Sequence, residues 1–132
     1  MIASNWTEED TFLVAGRAHA LYQQGCYREA AILFAGLLAI EPANNYCREA
    51  MATICLVTDQ PADALDWLSP ASAHPETLAR RCEALICLNR FAEARRELER
   101  LGTLGCLGLF RRMQQRFRVA LVGNASASSL DN

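Results

Sequence analysis

A chain of 132 residues is long enough for one domain whose core needs no disulfide or metal staple, and no second domain is required. Apolar residues make up 52% and charged residues 21%, which leaves more apolar surface than one small core uses and points to a binding face. The formal net charge is −2, but residues 1–76 carry ten acids and three arginines while residues 77–132 carry five acids and ten arginines, so the two parts stand near −7 and +5. Such polarity steers an encounter with a partner of opposite polarity. No apolar stretch approaches the roughly 20 residues of a membrane span, which excludes that class. The six cysteines form no C-x-x-C pair and have no histidine at finger spacing, so no metal site is expected. No secretory leader is read ahead of residue 7, and reduced thiols in a cytoplasm are expected.

In chain order, Thr7 caps a first helix over about 8–24, with Glu8, Glu9 and Asp10 in its first turn. A second helix follows over about 27–40 and stops before Pro42. The next pair spans about 45–58 and 61–69, shortened by Pro70, with His74-Pro75 as the link onward. A third pair covers about 76–88 and 91–101, after which Gly102 and Gly105 bracket a turn. A seventh helix, about 106–122, places Phe110, Met113, Phe117 and Leu121 on one stripe, with Arg111, Arg112, Arg116 and Arg118 largely off it. The tail 123–132 has little to bury, and disorder is expected there. The fold class is therefore all-α, as one domain over 1–122.

Three segments superpose without gaps: Leu21 to Ala30, Cys55 to Ala64 and Leu85 to Ala94. In each, an apolar helix end is followed four residues later by Gly25, Asp59 or Asn89, types that tolerate a left-handed backbone and can close one helix before the next opens. An acid, Glu29, Asp63 or Glu93, then falls in the first turn of the new helix, where the helix dipole favours negative charge. Ala30, Ala64 and Ala94 come next, 34 and 30 residues apart, where two crossing helices need a small side chain.

The first spacing is the tetratricopeptide period, and the run Tyr22 to Ala30 followed by Phe34, Leu37, Leu38, Ile40, Glu41, Pro42 and Asn44 resembles that family. The likeness weakens at Val14, Arg17 and Ala18, where the family usually has Trp, Leu and Gly. The resemblance implies three helical hairpins, about 8–42, 45–70 and 76–101, stacked into a right-handed superhelix with a capping helix over about 106–122. It also implies that the first helix of each pair lines a concave groove: Phe12, Ala15, His19, Tyr22 and Gln23, then Tyr46, Glu49, Thr53, Leu56 and Val57, then Glu76, Ala79, Glu83, Ile86 and Cys87. The groove is mostly apolar and aromatic, suited to an amphipathic helix or an extended segment, with Tyr22 and Tyr46 as anchors and Glu49 and Glu83 setting register. The competing expectation is a small superhelix that closes on itself and buries these residues.

A small acidic three-repeat protein of this kind resembles the tetratricopeptide chaperones and partner proteins of bacterial type III secretion systems over about residues 8–120. Only about seven residues precede the first helix, which favours the smaller subtypes, the export-component partner or the needle-subunit co-chaperone, over the translocator chaperones. The resemblance implies a cytoplasmic protein that holds an aggregation-prone or assembly-competent partner, with a second small chaperone completing the site and self-association when unliganded. The alternative is a plain tetratricopeptide scaffold in another bacterial assembly.

No catalytic constellation is read. His19 and His74 are the only histidines, and neither has a nucleophile or carboxylate at triad-like spacing. Gly102-Thr-Leu-Gly105 lacks the lysine and preceding strand of a phosphate loop, so neither an enzyme nor a cofactor is expected. The arginine-rich end raises nucleic-acid binding, but an overall pI near 5.7 and the packing roles of Phe110 and Phe117 weigh against it.

Overall fold

In a computed structural model of the chain, residues 5–70 and 72–130 are described, residues 126–130 by backbone alone. Residues 1–4 of the expected domain, Ala71, and residues 131–132 of the expected tail lie outside them. Among the described residues there are seven α-helices and no strand: α1 Glu8–Gln23, α2 Tyr27–Ile40, α3 Asn45–Val57, α4 Pro61–Trp67, α5 Pro75–Cys87, α6 Phe91–Thr103 and α7 Leu107–Leu130. The fold is all-α. Backbone contacts divide it into two compact units, Met1–Gln60 and Pro61–Asn132.

In the first unit, α1 opens on a capping box. The Thr7 hydroxyl accepts from the Asp10 amide at 3.1 Å, and the Asp10 carboxylate accepts from the Thr7 amide at 2.9 Å. Trp6 donates its indole N–H to the Thr11 hydroxyl at 2.7 Å, fixing the entry to the helix. α2 packs against both α1 and α3 and buries Phe34, Leu37 and Leu38. Removing a side chain such as Phe34 from water contributes roughly 1.5–3 kcal/mol. α2 ends where Glu41 turns out of helical geometry ahead of Pro42. Asn44 then caps α3, its side chain accepting from the Cys47 amide at 3.1 Å.

The three aligned segments share one turn. Gly25, Asp59 and Asn89 have φ of 82°, 60° and 59°, the left-handed backbone that the residue types suggest. Each turn carries the same two hydrogen bonds of a Schellman motif. The long bonds run from Cys26 to Leu21 (2.9 Å), Gln60 to Cys55 (2.6 Å) and Arg90 to Leu85 (2.9 Å). The short ones run from Gly25 to Tyr22 (3.0 Å), Asp59 to Leu56 (3.3 Å) and Asn89 to Ile86 (3.0 Å). The first and third turns each return the chain onto the helix before, α2 packing on α1 and α6 on α5.

The small residues sit where the turns require them. Ala30, Ala64 and Ala94 are fully buried, and so are Ala18, Ala52 and Cys82, each lying twelve positions earlier. In the second unit the Cys82 thiol donates to the Ala94 carbonyl at 3.6 Å, a contact open only to a small side chain at position 94. This unit's core gathers Leu78, Ala79, Cys82, Leu85 and Ile86 from α5, Ala94, Leu98 and Leu101 from α6, and Met113 and Phe117 from α7.

The second unit departs from expectation in three places. α4 stops at Trp67, earlier than 69, and α6 runs on through Gly102 to Thr103. Gly102 serves close approach instead of a turn: a Cβ there would lie 3.1 Å from the Phe110 ring, and Gly105, with φ of 77°, makes the reversal. α7 continues to Leu130 where a disordered tail over 123–132 is expected, because the Ala and Ser residues after Gly123 carry on a helix already nucleated and hold no proline to stop it.

The link between α4 and α5 has little regular structure, yet it is fixed. Glu97, buried on α6, pairs with Arg81 at 3.5 Å and with Arg100 at 3.1 Å. Arg81 donates to the Leu68 carbonyl at 3.2 Å, and Arg100 to those of Pro70 and Ser72 at 3.1 and 2.8 Å. One carboxylate thus holds two guanidiniums, and the guanidiniums hold carbonyls that helical bonding would otherwise have satisfied.

Candidate functional site

The expected groove residues fall into two different environments. On α1, Phe12 is 77% exposed and His19 is exposed, while Ala15 and Tyr22 are half-buried. The Tyr22 ring stacks 6.3 Å from His19 and tilts against Tyr27 of α2 at 5.5 Å, so its plane is set while one side stays accessible. On α3, Tyr46 is 52% exposed and meets Phe34 edge-on at 6.1 Å; Glu49, Thr53 and Leu56 are half-buried. Loss of water contact, with the Cys47 thiol adding to it, pushes the Tyr46 phenol above its ordinary value of 10.0. That keeps it a neutral donor. α2 packs on both helices, so the first unit brings these eight predicted residues onto elements that share one neighbour.

The third set belongs to the second unit and is largely closed, with Glu76 and Cys87 exposed at its ends. Ile86 is 7% exposed and Ala79 5%, both inside the core that includes Met113 and Phe117 of α7. The Glu83 carboxylate pairs with Arg116 of α7 at 2.8 Å. Of the expected groove residues, Ile86 is thus core, and Glu83 is half-buried and engaged by Arg116. α7 packs on α5 as well as α6, and it covers the side of α5 that a guest would need.

Sequence reasoning missed a cleft in the second unit. Leu98, Phe110, Phe117 and Leu121 form an apolar floor between α6 and α7, with Arg95, Arg118, Glu99 and Gln114 along the edges and an open volume of about 550 Å³. That size lies within the usual range of ligand pockets. Arg95 lies over the Phe117 ring at 5.7 Å, held by a cation–π contact. The signal was present in the α7 stripe, whose half-buried ends Phe110 and Leu121 the core does not fully enclose.

The arginines of this unit divide by role. Arg81 and Arg100 hold the link, Arg90 pairs with Glu93 at 2.7 Å, and Arg116 pairs with Glu83. Arg90 draws the exposed Glu93 carboxyl below its ordinary value. Among the described residues no group of three or more His, Cys, Asp or Glu is arranged to hold a metal ion, and no helix is long and apolar enough to cross a membrane. The Cys82 thiol is pushed up to about 12 by burial, with Glu97 adding to the effect, so it is protonated at neutral pH and a poor nucleophile. No family model, curated protein or solved structure matches the chain.

Proposed function

We propose that the chain is a non-catalytic protein-binding module of tetratricopeptide type, which holds an amphipathic helix of a partner against the α1 and α3 face of its first unit. The observation that carries this reading is the Schellman turn repeated at Gly25, Asp59 and Asn89, together with fully buried small residues at matching positions around it. A hairpin repeated in this way is a device for presenting first helices side by side, and Phe12 and Tyr46 are large apolar groups left in water on two of them.

Its chemistry would be equilibrium protection. A segment rich in exposed amphipathic helix aggregates or assembles through its apolar stripe, and occupying that stripe lowers the concentration of the assembly-competent form. The resemblance to type III secretion chaperones supplies the partner class: a needle subunit or early export component, held in the bacterial cytoplasm, with a second small chaperone as a third member. Tyr22 and Tyr46 would anchor the guest, each offering a rigid apolar body and a hydroxyl. Co-expression with such a subunit, followed by size-exclusion chromatography, should give a one-to-one complex. Tyr22→Glu and Leu56→Glu should each dissolve it, and a complex that survives both substitutions would overturn the proposal.

A further inference from the structure

We infer that the α6–α7 cleft is a homotypic docking site that receives the N-terminal part of α1 from a second copy of this chain. The inference is argued from a cleft in the second unit and from charges that the proposed partner binding does not use, and Phe12 is the residue the two readings share.

The two surfaces complement each other in shape class and in charge. The cleft offers an apolar floor of Leu98, Phe110, Phe117 and Leu121 beside the guanidiniums of Arg95 and Arg118. Arg118 is exposed and makes no ion pair among the described residues, and α7 carries four arginines with no acid along Leu107–Leu130. Glu99 is the single acid in the lining and offsets only part of this charge. The first turn of α1 has the opposite character. Glu8 and Glu9 are exposed, and one turn on stand Phe12 and Leu13, 77% and 63% exposed. Spacings of four place Glu8 with Phe12, and Glu9 with Leu13, along the same strip of helix surface.

An acidic helix end carrying two bare apolar side chains fits an apolar cleft edged by arginines. Long-range attraction between the negative first unit of one copy and the positive second unit of the other would bring them together, and burial of Phe12 would hold them. Because the two surfaces differ, each copy offers one of each, and the contact either repeats head to tail or closes in a two-fold pair by reciprocal exchange.

The test is sedimentation of the full chain across concentration and salt. The mass should grow with concentration to a dimer or beyond, and growth should weaken as salt is raised. Phe12→Asp should weaken association by about thirtyfold or more, and so should Arg118→Glu combined with Leu121→Asp; circular dichroism checks that each variant keeps its helices. Arg118→Glu alone serves if the double variant loses structure. Mixing the Phe12→Asp chain with the Arg118→Glu chain is the decisive arm. One intact α1 and one intact cleft remain between them, so the mixture should form a one-to-one pair that grows no further. A chain that stays monomeric up to about 1 mM at low salt, leaving the cleft to a helix of another protein, would overturn the inference, as would a dimer that the mixture fails to restore.

Discussion

The two units use the same turn and the same small-residue positions, yet one leaves its first-helix face in water and the other closes it. Tyr22 of α1 and Ile86 of α5 occupy matching places before their turns at Gly25 and Asn89. Tyr22 remains half-buried, while Ile86 is core. The difference lies in α7. It packs on both helices of its hairpin, brings Met113 and Phe117 into the cluster that holds Ile86, and ties Glu83 to Arg116. A first-helix face becomes core once the chain supplies its own helix, and the proposed function assigns the guest to the face of the first unit that stays in water.

The largest effects should come from the two cores. Phe34→Ala and Leu101→Ala each remove a side chain that is 1% or less exposed, and each should cost about 3 kcal/mol. Trp6 lies in the first unit and Trp67 in the second, so denaturant unfolding followed in single-tryptophan chains reports which unit is weakened. Each substitution should shift its own unit's signal more. Equal shifts of both signals would show the units to be one cooperative block.

Next in size is the link clamp. Glu97→Ala leaves Arg81, largely buried, without its counter-charge and loosens the grip on the Leu68, Pro70 and Ser72 carbonyls, a loss of about 2 kcal/mol in the second unit. Glu93→Ala removes a fully solvated pair and should leave the unfolding midpoint in place, which makes it the control.

Smaller effects separate the turns. Gly25→Ala should cost about 1 kcal/mol because φ there is 82°, whereas Asn89→Gly, at φ of 59°, should be neutral or stabilising. The reverse order in thermal melts would contradict the shared turn geometry.

Through Cys82, alkali should weaken the second unit. Burial raises its pKa from an ordinary 9.0 to about 12, so the fold favours the neutral thiol. That contribution is complete below pH 9 and declines as pH climbs toward 12, because the unfolded chain then releases a proton that the folded one keeps. Cys82→Ala should flatten this decline in the Trp67 signal and leave that of Trp6 unchanged.

Much of the helical order was legible. Gly25, Asp59 and Asn89 announced the turns because few residues adopt a left-handed backbone cheaply, and Ala30, Ala64 and Ala94 announced the crossings because a larger side chain would not fit. Local signals fixed local structure. Gly102 misled because a glycine marks either a turn or a close approach, and only the position of Phe110 decides between them. The fate of Ile86 and Glu83 was hidden for a similar reason: whether α7 reaches α5 depends on packing between elements, which helical periodicity does not encode. The Glu97 clamp was hidden too, since Arg81 comes from the preceding helix and the carbonyls that Arg81 and Arg100 hold lie far off in sequence, at Leu68, Pro70 and Ser72.

The central claim is that a guest lies on the α1 and α3 face and not on that of α5. Photo-crosslinking side chains placed singly at Phe12, Tyr46 and Ile86, in a chain co-purified with its bound subunit, test this most directly. Adducts to the guest from positions 12 and 46, with none from 86, are the predicted result; adducts from 86, with 12 and 46 silent, would contradict the account.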